Sequence, residues 1–279
     1  MRRLYFISRA IIFVAKTVNL HMKLLVVILL LIICLMTVCA VRAARHDSLP
    51  EPAKGRNPYK FRGTQLIAPA ALVGLGVTGL VTNPVKQLNG NISHSFRGNP
   101  KGGFDDYVQY VPFAAPYVLK LCGVGSRHNY GEYTILLATS YLSIGIMVNA
   151  LKYTVKELRP DGSKRNSFPS GHTATVFMGA ELLRAEFWET SPWIGVGGYL
   201  VASTVGFMRI WHNRHWLTDV LAGAGIGILS VRIAYWTFPP LQRLFFGKGD
   251  KKSDGYISAA PYYNPFHGSH MGASLSLSF

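Results

Sequence analysis

Apolar stretches close to membrane-spanning length recur along this 279-residue chain, and they leave few folds open to it. Residues 64–82, "TQLIAPAALVGLGVTGLVT", carry no charge and place small residues at close spacing, which suits a tightly packed helix. Residues 105–124 open on Asp105 and Asp106, acids favoured at a helix N-terminus, and Pro112 and Pro116 predict kinks there. Residues 132–158 read as one long helix that Pro160 stops. Further helices follow over 171–187, along "SPWIGVGGYLVASTVGFMRI", and along "WLTDVLAGAGIGILSVRIAYWTF". There is no internal repeat. The expectation is an all-α helical bundle of about six helices, associated with a membrane. Residues 83–104, rich in Gly, Asn and Pro, read as a loop.

The ends of the chain differ from its middle. Lys23, a long apolar run and small residues around Val41 and Ala43 form a secretory signal pattern, with cleavage expected after Ala43. Residues 1–43 are therefore a signal sequence with an upstream extension. An uncleaved anchor helix is the alternative. Residues 44–63, with Pro50, Pro52 and Pro58, read as a linker. Residues 64–245 would form the bundle, and 246–279 a polar tail. Within that tail, "HMGASLSLSF" alternates apolar and small residues with period two, so a terminal strand competes there with a loosely docked end. Cys34 and Cys39 lie inside the signal, which leaves only Cys122 and no cysteine pair for a disulfide or metal site.

Charge narrows the partners. The formal net charge is +16, although only 15% of residues are charged and 49% are hydrophobic. No run of basic and aromatic residues marks a nucleic-acid recognition module, so no nucleic-acid partner is expected. Anionic lipid headgroups or a phosphorylated substrate fit the excess of cations.

Three segments concentrate the chemistry. In "KYTVKELRP", Lys152 and Arg159 are seven residues apart, which on a helix puts both cations on one face, about 10 Å apart along the axis. In "PSGH", Ser170 and Gly171 precede His172 at the start of a helix. Ser170 reads as a cap, and the free N–H groups of that helix end also favour an anion. In "RIWHNRHWLTD", Arg209 ends one helix, and His215 and Asp219 stand four apart at the start of the next. That spacing lets the carboxylate hold one imidazole nitrogen and leave the other free. His212 and Arg214 read as surface neighbours. In an up-and-down bundle all three segments fall at the same end.

Lys-x6-Arg-Pro, then Pro-Ser-Gly-His, then Arg-x5-His-x3-Asp, spread over residues 152–219, resembles the type 2 phosphatidic acid phosphatase superfamily. That superfamily takes in membrane lipid phosphatases, bacterial acid phosphatases and vanadium haloperoxidases. Every charged motif position is present; the departure is Met208, where the family usually has serine. The resemblance implies a metal-independent phosphatase with no cofactor, in which His215 attacks phosphorus and Asp219 orients it. It implies His172 as the acid for the leaving group, and Lys152, Arg159, Ser170, Gly171 and Arg209 as phosphate ligands. The implied substrate is a lipid phosphate or diphosphate such as phosphatidate, phosphatidylglycerol phosphate, undecaprenyl diphosphate or lipid A. A cleaved signal starts the mature chain outside the cytoplasmic membrane, and the expected place is the bacterial envelope membrane with the site facing the periplasm, which requires that one of the three apolar segments before Lys152 does not span. A vanadium-dependent haloperoxidase and a non-enzymatic binder of anionic lipids are the alternatives.

Overall fold

The computed structural model describes residues 58–96 and 104–246, and the backbone of 256–264 and 270–278. The signal sequence, and the linker up to residue 57, lie outside the described residues. The chain divides into two compact units, 1–238 and 239–279.

Eight α-helices make up the described helical part. A 3₁₀ turn, Gly63–Leu66, leads into α1 (Ile67–Val81), followed by α2 (Asn83–Ser95), α3 (Phe104–Val108) and α4 (Val111–Leu121). Then come α5 (Tyr130–Val155), α6 (Gly171–Phe187), α7 (Pro192–Trp211) and α8 (Leu217–Phe246). The bundle is all-α, as the sequence indicates, but it has two more helices than the apolar stretches suggest. Part of the expected loop 83–104 is the helix α2: Pro84 sits in its first turn, where a missing N–H costs nothing. The expected single helix 105–124 is two, because the chain turns at Gln109–Tyr110 and Pro112 starts α4 afresh.

α6 is the inner helix. From Thr173 to Phe187 every residue is buried except the half-buried Phe177 and Arg184. Such all-round burial demands neighbours on every side. Met178 and Leu182 pack with Tyr133, Leu136, Ile144 and Val148 of α5 and with Ile226, Val231 and Ala234 of α8. Val176 and Ala180 pack with Ala202 and Val205 of α7. The two glutamates of α6 are satisfied inside the protein: Glu181 by Arg184, Arg232 and Tyr199, and Glu186 by His128 and Tyr235. Backbone contact between α6 and α8 requires glycine. A Cβ on Gly223 would stand 2.5 Å from the Ser170 carbonyl oxygen, and one on Gly227 would collide with the Ala174 carbonyl and the Met178 amide.

Among the described residues, four helical segments are long and apolar enough to cross a membrane: Gly63–Val81, Tyr130–Val155, Pro192–Trp211 and Leu217–Phe246. The first two are 17% and 22% buried within the protein and the last 72%, so the outer helices offer their surfaces to lipid and α8 sits inside. The protein is a membrane protein. α4, at 11 residues, is too short to cross. The chain runs along α5 toward one end of the bundle, away from it along α6, back along α7 and away again in α8. The α5–α6 and α7–α8 connections therefore share that end.

The second unit holds an antiparallel hairpin of β1 (Tyr256–Asn264) and β2 (His270–Ser278), in register from Tyr256–Ser278 to Asn264–His270. The period-two segment of the sequence coincides with β2.

The glycine contacts give a measurable contrast. Gly227→Ala should lower stability by about 1–3 kcal/mol, the usual cost of overpacking. Gly145→Ala, in a helix position with nothing within 4 Å, should raise it by roughly 0.5–1 kcal/mol. Thermal unfolding of the two variants in detergent checks this, and equal effects would argue against a close α6–α8 contact.

Candidate active site

The turns at that end bring the three segments together, though by a different local geometry from the one the spacing suggests. α5 ends at Val155, where Lys156 takes a left-handed conformation at φ 51°. Lys152 is thus the helical cation, while Arg159 lies in the loop beyond. They do not share a helix face. The loop is tied down by Arg159 N–H to the Lys164 carbonyl at 3.0 Å and Gly162 N–H to the Arg159 carbonyl at 2.9 Å. The Lys152 ammonium donates to the Asn166 carbonyl at 2.5 Å. Arg159 and Arg209 each keep a buried Nε with no hydrogen-bond partner.

Ser170 is the residue before α6, in extended conformation, yet its side chain caps nothing. Its Oγ instead accepts from the Thr173 hydroxyl at 2.9 Å, and it is fully buried. The cap expected of this serine is therefore absent; the Ser170 carbonyl accepts the Ala174 N–H in the ordinary helical way. Around Gly171 the space is open, with Val148 the nearest atom to an added Cβ at 3.8 Å.

His215 and Asp219 also meet differently from expectation. The nearest Asp219 oxygen is 3.6 Å from His215 Nδ1, too far for a good hydrogen bond. Nδ1 donates instead to the Ser167 carbonyl at 2.8 Å. Asp219 is held by other donors, the Ser167 hydroxyl and the Trp216 N–H at 2.9 Å. His215 precedes α8 and Asp219 lies in its first turn, so the four-residue spacing does not act along a continuous helix. The outcome for the imidazole is the same: Nδ1 carries the proton and Nε2 is left with its lone pair. Burial, opposed by Asp219, pulls the His215 pKa down to about 4, and Arg209 and Lys152 push the same way. The ring is neutral at neutral pH.

His172 stands nearer the surface, with 30% of its side chain exposed against 3% for His215. Its Nε2 donates to Asp106 at 2.7 Å. Burial and the Arg209 charge lower its pKa, and Asp106 partly offsets them.

Asp105 and Asp106 are site residues that spacing alone did not disclose. As acids of a helix N-terminus they were ordinary. In the fold α3 carries them onto the third motif: Asp105, 1% exposed, pairs with Arg209 and lies 3.4 Å from His212 Nδ1, while Asp106 reaches His172 and lies 3.6 Å from Arg209. His212 is accordingly largely buried rather than a surface neighbour, whereas Arg214 is half-buried and pairs with Asp161. No spacing rule links position 105 to 209. The available signal was chemical: two adjacent acids in a chain with few of them. Among the described residues, no group of His, Cys, Asp and Glu is placed to hold a metal ion.

Comparisons with known proteins concentrate on this region. Residues 133–243 match the family described as PAP2 superfamily. A lipid A 1-phosphatase of Porphyromonas gingivalis is 45% identical over 133 residues, 47% of this chain and 30% of that protein. An undecaprenyl-diphosphatase of Sulfolobus acidocaldarius is 31% identical over 115 residues, 36% of this chain and 54% of that protein. The alignments thus span less than two thirds of these relatives. The crystal structure of a transmembrane PAP2 type phosphatidylglycerolphosphate phosphatase from Bacillus subtilis aligns with a TM-score of 0.45 and 18% identity, over 64% of this chain and 97% of that one. All three motifs fall inside the stretch, residues 133–243, that is similar to the PAP2 superfamily.

Proposed function

We propose that this protein is a metal-independent phosphatase that hydrolyses a phosphomonoester or diphosphate of a membrane lipid through a phosphohistidine intermediate. The observation that carries the reading is a buried neutral histidine, Nδ1 anchored and Nε2 free, beside two guanidinium groups that each retain an unpartnered buried N–H. An unsatisfied buried donor costs free energy, and phosphoryl oxygens would satisfy both.

In this mechanism His215 Nε2 attacks phosphorus and the bond to the leaving oxygen breaks. Lys152, Arg159 and Arg209 offset the charge on the equatorial oxygens, helped by the N–H groups at the start of α6 around Gly171. The Ser170 hydroxyl joins them only if it turns from Thr173. His172 protonates the leaving oxygen, then takes a proton from the water that attacks the phosphohistidine. Asp219 stabilises the imidazolium character that develops on His215. Asp106 holds His172 at the mouth of the site, and Asp105 holds Arg209. Similarity to relatives described as lipid A 1-phosphatase and undecaprenyl-diphosphatase supports a lipid phosphate or diphosphate as substrate.

A periplasmic site is part of the same proposal. Among the described residues, two segments long and apolar enough to cross, Gly63–Val81 and Tyr130–Val155, precede the α5–α6 turn, and the 11-residue α4 is too short. An even number of crossings returns the chain to the side on which a cleaved signal leaves it.

Mutation separates the two histidines. His215→Ala should abolish turnover of every substrate, because no other group carries the phosphoryl intermediate. His172→Ala should lose roughly 10²–10⁴-fold on a lipid monophosphate, the usual range for general acid catalysis. With p-nitrophenyl phosphate it should lose far less in the first step and accumulate phosphohistidine. Trapping with labelled substrate under alkaline quench checks this; phosphohistidine in His215→Ala would reverse the roles. The lowered pKa makes a second prediction, since the His215 ring of the free protein should stay neutral as pH falls until about 4. Nitrogen NMR of labelled histidine reads this directly, and protonation at the usual value near 6.5 would contradict it. For topology, exposed Lys164→Cys in a Cys122→Ser background should react with an impermeant maleimide in intact spheroplasts. Labelling only after lysis would place the site on the cytoplasmic side.

A further inference from the structure

Glu157 follows the left-handed residue that ends α5, and nothing in the mechanism above uses it. Its backbone carbonyl accepts the Ser167 N–H at 3.0 Å, which folds the α5–α6 loop back over the site. Ser167 ties the two acids to one turn: its N–H reaches the Glu157 carbonyl, its hydroxyl reaches the Asp219 carboxylate, and the Asp219 charge acts on the Glu157 carboxyl group. Both acids show the same defect. Glu157 Oε2 and Asp219 Oδ1 are each buried and accept from no donor in the protein.

Two ionised carboxylates facing each other in a buried site repel, and each oxygen would lack a donor. One proton between them removes both defects. The surroundings say which acid keeps it. Asp219 Oδ2 already accepts from the Ser167 hydroxyl and the Trp216 N–H, and Asp219 lies within electrostatic reach of Lys152 and Arg159. The charged groups acting on Glu157 are Asp219 of α8, which opposes its ionisation, and Lys86 of α2, which favours it.

We infer that Glu157 is a neutral acid that donates its proton to Asp219 Oδ1, and so acts as a positioning residue for the aspartate beside His215. The two carboxyl groups then carry a single negative charge, which stays on Asp219. With donors on both its oxygens, Asp219 cannot rotate away from the imidazole. Burial first and the Asp219 charge second push the Glu157 pKa to about 9, so the proton is retained at neutral pH. The consequence for turnover rests on the phosphatase reading; the shared proton does not.

The test uses the full-length protein purified in detergent. The infrared difference between wild type and Glu157→Gln at neutral pH should contain the C=O stretch of a protonated carboxylic acid, sensitive to deuterium exchange and lost as pH rises through about 9. A difference containing only ionised-carboxylate bands would overturn the inference. Glu157→Ala should lose about tenfold in kcat, the rate equivalent of one hydrogen bond, with KM little changed. Glu157→Gln, whose amide donates the same bond, should recover most of that loss. A glutamine variant as impaired as the alanine variant, or an alanine variant without defect, would overturn the positioning role. If the alanine variant fails to fold, the infrared band and the glutamine variant still decide. A protonated band in a protein that hydrolyses no lipid phosphate would leave the shared proton standing and reject the proposed function instead.

Discussion

Asp219 ties the active end of the bundle together. Its backbone carbonyl accepts the Ser170 N–H at 3.1 Å, which fixes the start of α6 against the first turn of α8. Its carboxylate accepts from Ser167 and Trp216, one on each of the two connecting turns that meet there. A completely buried carboxylate is tolerable only with such donors, so the local backbone is arranged around it. The Ser167 carbonyl, carried on the same turn, then orients His215. One buried acid thereby sets the relation between the second and third motifs.

The second constraint is the membrane. Charge in the middle of a spanning helix is costly, and this chain places its three site cations at the end of α5, in the loop after it and in the last turn of α7. Those positions share one end of the bundle because successive helices run in opposite directions. Inner helix α6 makes this compact. Its N-terminus reaches the site, while its middle is packed closely enough against α8 that glycine is required at the contact. An apolar bundle can then hold a cationic site at its rim without burying unpaired charge in its centre. The two buried glutamates of α6, both paired, obey the same rule.

The proposed chemistry divides labour by burial. The proposed nucleophile, His215, is deep, so its imidazole stays neutral and keeps a lone pair on Nε2. His172 is partly exposed and held by Asp106, a position open to a leaving group and to water. Asp105 and Asp106 lower the net charge around Arg209, so the site is less cationic than its three basic motif residues imply. An arriving phosphate meets a guanidinium already held in place rather than a mobile one.

Motif order and residue type singled out Lys152, Arg159, Ser170, Gly171, His172, Arg209, His215 and Asp219 as candidates, and the alternating helices bring their three segments to one end of the bundle. The all-α class and the spanning lengths were legible because hydrophobic run length is a local property of the chain. What spacing could not supply was the hydrogen bonding within the site. Lys152 and Arg159 looked like one helix face, but α5 stops at a left-handed residue between them. His215 and Asp219 looked like a bonded pair, but a carbonyl from the preceding turn takes the imidazole proton. Asp105, Asp106 and Glu157 carried no signal tying them to this site, since each meets its partner only after distant segments have packed. Residue type and motif order set which groups are available and at which end of the bundle they gather. Which donor faces which acceptor is fixed by packing, because burial leaves each polar atom a few candidate partners drawn from segments far apart in the chain.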